Sequence, residues 1–142
     1  MEKILSLKAV VSNEADKTTG QATVYLLEEA TNTILPITVD VSSAESIILA
    51  QQNLLLPRPH THDLMKRLLN CFQAKLCDVV IYNLEEDIFY SYMRVTYNGE
   101  LYEIDARPSD AIAMAIRMSV PIVVKEEVLS KGGIRVTENS IN

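Results

Sequence analysis

Hydrophobic and polar positions alternate loosely over Lys3–Val11, the period of a half-buried strand. Polar turn residues follow over Asn13–Gly20. Gln21–Leu27 and Ile34–Val41 again read as strands, and Asn32 punctuates the gap, which predicts a hairpin over Gln21–Val41. The pattern then changes period. Ser42-x-x-Glu45 has the form of a capping box and predicts a helix to about Asn53. The two prolines of Leu54–Pro59 make that stretch extended or a turn. Thr61 can cap a second helix, from His62 to about Gln73, with Leu64, Met65, Leu68, Leu69 and Phe72 as its apolar face.

A β-rich block comes next: a nearly continuous apolar run over Cys77–Tyr82, then alternation over Ile88–Tyr97. Asn98-Gly99 is a strong hairpin signal, and Leu101–Asp105 is the returning strand. Pro108 suits the first turn of a third helix, with Ala111, Ile112, Ala115 and Ile116 facing the core. Pro121–Lys125 predicts a last strand and Glu126–Lys131 a short helix, with Gly132-Gly133 and the polar tail expected to fray. The sum is a single α+β domain over residues 1–131, with a mixed or antiparallel sheet and about three helices, followed by a polar tail at 132–142.

The chain also echoes itself. Laying Asp40 over Asp105 brings Val39 to Ile104, Glu45 to Asp110, Ile47 to Ile112 and Ala50 to Ala115. Each half then reads hairpin, strand, acidic residue, capped helix. Two related β-β-α units in one sheet would produce this, as would a chance likeness between two strand-to-helix junctions.

Composition adds exclusions. The 142 residues are 48% hydrophobic and 23% charged, ordinary for one globular domain and unlike a disordered chain. No apolar run approaches the roughly 20 residues of a membrane-spanning helix, and Met1–Leu5 lacks the features of a secretion signal, so a cytoplasmic protein is expected. Cys71 and Cys77 are then expected as reduced thiols, Cys71 buried beside the apolar face of its helix and inert. The net charge is −6. A basic stripe that would grip nucleic acid is missing, so a nucleic-acid partner would have to be met by local charge or a bound cation.

Two clusters can carry chemistry. Glu103, Asp105, Arg107, Ser109 and Asp110 sit at a strand-to-helix corner. Glu103 and Asp105 point to one face of a strand, and paired carboxylates with Asp110 can hold Mg²⁺ or Mn²⁺. Arg107 offers a planar fork for phosphate, beside the exposed N–H groups of a helix start. A structural reading stands beside this one: Asp110 meeting its helix dipole, and Arg107 locked to Asp105 or Glu103. The second cluster is Arg58-Pro59-His60-Thr61-His62-Asp63, where either histidine can bind metal or act as a base, and where Thr61 and Asp63 can equally serve to start the helix. Neither a nucleophile elbow nor a glycine-rich phosphate loop is present. Tyr82, Tyr90, Tyr92, Tyr97 and Tyr102 read as half-buried sheet residues, with base stacking the alternative.

Arg58-Pro59-x-Thr61-His62-Asp63-Leu64, Phe89-Tyr90, Glu103-Ile104-Asp105-Ala106-Arg107-Pro108-Ser109-Asp110-Ala111-Ile112-Ala113 and Pro121-Ile122 occur in that order. On these segments the chain resembles the bifunctional nuclease domain, over about Lys3–Leu129. The resemblance implies an α+β domain, a homo-oligomer (dimer or higher) and a nuclease acting on DNA or RNA. Under that reading Asp105, Asp110 and Glu103 would hold the divalent cation, Arg107 would stabilise charge on the phosphate, and His62 or His60 would serve as base or extra ligand. Arg58, His60 and Ser109 would bind substrate. The other reading is a non-catalytic module that binds a ligand, a protein or nucleic acid.

Overall fold

The alternating stretches form strands and the 3.6-period stretches form helices. The structure, a computed structural model, describes residues 1–12 and 20–137. The turn expected over Asn13–Gly20 therefore lies, apart from Gly20, outside the described residues. The strands are β1 (Glu2–Ser12), β2 (Gln21–Glu28), β3 (Thr33–Asp40), β4 (Lys75–Glu85), β5 (Ile88–Tyr97), β6 (Glu100–Ala106), β7 (Ile122–Lys125) and β8 (Ile134–Arg135). The helices are α1 (Val41–Gln51), α2 (Thr61–Cys71), α3 (Pro108–Met118) and α4 (Glu126–Gly132). No helix among the described residues is long and apolar enough to cross a membrane.

All described strands join one eight-stranded sheet in the order β6-β5-β4-β7-β1-β2-β3-β8. The pairs are antiparallel except β4–β7, which makes the sheet mixed. The echo in the sequence is visible as two antiparallel meanders, β1-β2-β3 and β4-β5-β6, flanking β7. Each meander feeds a helix from its last strand: β3 into α1 and β6 into α3. The correspondence is two residues off the one read from sequence. Asp40 caps α1, whereas Arg107, not Asp105, caps α3. With these caps superposed, Ala44 falls on Ala111 and Ile47 on Met114, all four of them buried.

The core lies on one face of the sheet. Alternate residues of the strands, such as Val24, Leu26, Ile37, Val79, Met93 and Val124, pack there against Ala44 and Ile47 of α1, Ala111–Ala115 of α3, and Val128 and Leu129 of α4. The opposite face carries a row of paired charges. Arg94 forks onto Asp78 at 2.6 and 2.7 Å, reaches Glu2 at 3.0 Å, and Glu2 accepts from Lys125 at 2.8 Å. Tyr82 packs with Tyr90 and Tyr92 at centroid distances of 6.3 and 5.2 Å, as partners in the sheet. Past residue 131 the chain joins the sheet: Gly132 ends α4 and Ile134–Arg135 pairs with Ile34 and Thr33 of β3.

Both early helices start sooner than their sequence signals suggest. The carboxylate of Asp40 accepts from the Ser43 amide at 3.1 Å and the Ser43 hydroxyl at 2.5 Å, so Asp40 is the α1 cap and Ser42 lies inside the helix. In α2 the cap is His60, whose amide donates to Asp63 at 3.0 Å. The apolar face expected of α2 is also rotated. Leu64, Leu68 and Phe72 are 51, 50 and 63% exposed, while Met65 and Leu69 pack on the core and His62 is buried. Polar anchors decide this rotation. Arg117 of α3 donates from Nε to Asp63 at 2.9 Å, and Lys66 donates to the Arg117 carbonyl at 3.3 Å, which turns the His62–Met65–Leu69 stripe inward. Cys71, expected to be buried, is exposed by the same rotation; both cysteines are free.

Candidate functional site

The N-terminal ends of α1, α2 and α3 converge on a cavity of about 480 Å³, lined among others by Asp40, Ser46, His60, His62, Arg107 and Asp110. Each end is placed by different forces. α1 starts where Asp40 stops β3, α2 is fixed to α3 by the Asp63–Arg117 pair, and α3 starts at Pro108, whose missing N–H costs nothing in a first turn.

Asp110 is the centre of the site. Its Oδ1 lies 2.9 Å from His62 Nε2, and its Oδ2 accepts from Arg107 Nε at 3.0 Å. The second arm of Arg107 reaches Oδ1 at 3.3 Å. Burial disfavours the Asp110 carboxylate, but the hydrogen bonds from Arg107 and His62 outweigh it, and its pKa is lowered. An ionised carboxylate only accepts, so the proton of the neutral imidazole sits on Nε2. Nδ1 is left as an acceptor, and it lies 2.6 Å from Ser46 Oγ. Asp110, His62 and Ser46 thus form one hydrogen-bonded line from α3 through α2 to α1.

Arg107 is held on its inner side by Asp110 and stands 3.7 Å from Asp40, yet its side chain is 66% exposed. The bond to Asp110 raises its pKa further, so the charge is permanent. Asp40 is also held ionised, its pKa lowered by the Ser43 hydroxyl against the cost of burial. Arg107 and Asp40 also border a second cavity of about 750 Å³ on the other side, with Phe89, Ser109 and Lys131 in its wall.

The sheet divides the carboxylates that the sequence placed together. Asp105 pairs with Tyr92 and Glu103 with Arg94 in the β5–β6 register, and side chains opposite one another share a face. That is the face away from the helices, since Ser91, Met93 and Val95 are the buried ones. Asp110, on α3, is on the helix side. Among the described residues, no group of three or more His, Cys, Asp and Glu side chains is arranged to hold a metal ion. The donors of Asp110 are also N–H groups, one of them a fixed cation. The set Asp105, Asp110 and Glu103 therefore does not fit the Mg²⁺ or Mn²⁺ expected of it. Arg107 locks onto Asp110 rather than onto Asp105 or Glu103.

Of the remaining expected residues, His60 lines the smaller cavity from an exposed position, Ser109 is buried at the edge of the larger one, and Arg58 is exposed in the loop before α2. Sequence reasoning missed Ser46 and gave Asp40 no role in the site. The only available signal for Ser46 was the density of serines, three within Ser42-Ser43-Ala44-Glu45-Ser46, near a helix start.

Residues 24–137 match the model of the "bifunctional nuclease domain". An uncharacterized protein of Mycobacterium tuberculosis is 36% identical over 131 residues, which is 92% of this chain and 78% of that protein. Bifunctional nuclease 1 of Oryza sativa subsp. japonica is 28% identical over 126 residues, 87% of this chain and 38% of that protein. Bifunctional nuclease 1 of Arabidopsis thaliana is 26% identical over 121 residues, 83% of this chain and 37% of that protein. The chain thus spans well under half of the plant proteins it matches.

Proposed function

The chain belongs to the bifunctional nuclease domain family, and on that premise we propose that it hydrolyses phosphodiester bonds of DNA or RNA in the cavity where His62, Asp110 and Arg107 meet. The observation that carries this reading is the double use of Asp110: one oxygen orients His62 and the other orients Arg107. Asp110 fixes the imidazole with Nδ1 unprotonated and facing the Ser46 hydroxyl, able to accept a proton as a general base must, which contributes roughly 10²–10⁴-fold to a rate. Arg107 offers its exposed guanidinium to the phosphate and to the charge that grows on it. Phe89 and Lys131 in the adjoining cavity supply an aromatic surface and a cation for a neighbouring nucleotide. His60, Ser109 and Arg58 are the further substrate contacts of this reading.

No step of this mechanism passes through a metal, because the carboxylates expected to hold one are divided by the sheet. Cleavage of fluorescent single-stranded DNA, duplex DNA and RNA tests the whole reading, run in Mg²⁺, Mn²⁺ and EDTA with highly purified wild type and Asp110→Asn. Cleavage that follows the protein through every purification step and falls in the folded variant is expected. Equal cleavage by wild type and variant would remove Asp110 from the chemistry, and activity that separates from the protein during purification would belong to a contaminant. Cleavage abolished by EDTA would require a cation site that uses other donors.

The net charge of −6 favours a second reading, a non-catalytic module that binds a ligand, protein or nucleic acid through the same cavity. Tight binding of an oligonucleotide without turnover in any condition would select it. The exposed Leu64–Leu68–Phe72 stripe supports the proposal of a homo-oligomer, which light scattering would report as a multiple of 15.9 kDa; a cytoplasmic location is proposed beside it.

A further inference from the structure

Ser46 has no place in the family resemblance, yet it ends the line that Asp110 begins. Its Oγ lies 2.6 Å from His62 Nδ1, and the opposite ring nitrogen lies 2.9 Å from Asp110. This is the arrangement of an activated nucleophile: a hydroxyl within reach of a base that a third group orients. The tautomer agrees with it. With the proton of the imidazole on Nε2 toward Asp110, Nδ1 can only accept from the Ser46 hydroxyl.

Position agrees too. His62 is buried at 7% exposure, and it lines the cavity together with the Ser46 that its Nδ1 meets. Ser46 is half-buried and lines the same cavity as Arg107. A role limited to helix capping does not account for it. Asp40 already caps α1, and Ser46 lies in the second turn. The wiring is also long-range, joining three helices rather than neighbours in one.

Resting on the phosphodiesterase reading for its substrate, we propose that Ser46 is the nucleophile and that the reaction passes through a covalent phosphoserine diester. Ser46 Oγ attacks phosphorus and its proton passes to His62 Nδ1. The bond from phosphorus to the leaving nucleoside oxygen breaks, and that oxygen takes the proton back from His62. The phosphoryl group now bridges Ser46 and the retained nucleoside. Water then attacks the same phosphorus and gives a proton to His62, and Ser46 leaves, taking a proton from the imidazole. The net reaction consumes one water per bond cut. Arg107 lies beside the phosphate in both displacements.

The test uses diisopropyl fluorophosphate, which transfers its phosphoryl group to an activated serine with loss of fluoride, alongside the nuclease assay. Intact-mass and peptide mapping should place the adduct on Ser46 of the wild type and not on Ser6 or Ser42. Ser46→Ala should take no label and should lose about 10³-fold or more in kcat/KM while keeping the wild-type melting curve. His62→Ala should slow labelling of Ser46 about 100-fold or more, because the hydroxyl loses its base. Acid quenching during cleavage should trap a nucleotidyl group on Ser46, a result that a merely structural serine cannot give. Wild-type cleavage with no label on Ser46, or full-rate cleavage by Ser46→Ala, overturns the proposal. Labelled Ser46 with no nucleic acid cleaved retains the nucleophile and removes the nuclease reading. Neither label nor cleavage removes both.

Discussion

Asp110 serves three neighbours with two oxygens: His62, Arg107 and the first turn of its own helix. Asp110→Asn keeps the size of the side chain and loses the charge that fixes the imidazole proton. Initial rates for this variant should fall about 10²–10⁴-fold with the fold intact. Arg107→Lys should keep the charge and lose the fork onto Asp110, so a fall of about 10–100-fold in kcat/KM is expected, mostly in kcat. Much of this site was legible in the sequence, because Arg107, Ser109 and Asp110 are local to one strand-to-helix corner and His62 lies in a recognisable segment. Asp105 was misplaced for a physical reason. Its distance along the chain was right, but the two-residue period of β6 sends it to the side of Tyr92, away from the helices. Ser46 was illegible because its partner sits on another helix, sixteen residues on and across the loop between α1 and α2.

At the scale of elements, strands were read better than helices. β5 runs over the Ile88–Tyr97 span read from alternation, since a period of two fixes which side is buried once one face is covered. The rotation of α2 was not readable, because two adjacent apolar stripes compete and the choice is made by Arg117, on α3. This makes a sharp contrast testable by urea unfolding. Leu68→Ala, on the exposed stripe, should change the stability of the dissociated monomer by less than about 0.5 kcal/mol, whereas Leu69→Ala, against the core, should cost about 1–3 kcal/mol. Arg117→Ala removes the donor that docks α2 and should cost about 1–3 kcal/mol. It should also lower cleavage, although Arg117 does not line the cavity, since His62 rides on the helix that Arg117 holds.

The whole molecule is two meanders joined through β7, and the row of charges on the open face crosses that join. Glu2 of β1 meets Lys125 of β7 and Arg94 of β5. Hydrogen bonds from Lys125 and then Arg94 lower its pKa to about 2 from an ordinary 4.5. Asp63 and Asp110 are shifted in the same direction. A depressed folded value means that the stabilisation is present above the ordinary carboxylate range and is lost as protons bind on acidification. Stability measured by thermal melting should therefore fall between about pH 4.5 and 2, and Glu2→Gln should flatten that fall. On the proposed reading the working side is the helix side, at the meeting of three helix N-termini, and the strand carboxylates lie on the far side of the sheet. The most direct measurement is kcat/KM for a single-stranded oligonucleotide with wild type, His62→Asn and Asp105→Asn, all shown to be folded. A fall of about 100-fold or more for His62→Asn with Asp105→Asn near wild type is the predicted result. Loss of cleavage in Asp105→Asn with His62→Asn unaffected would place the chemistry on the other face of the sheet and contradict the account.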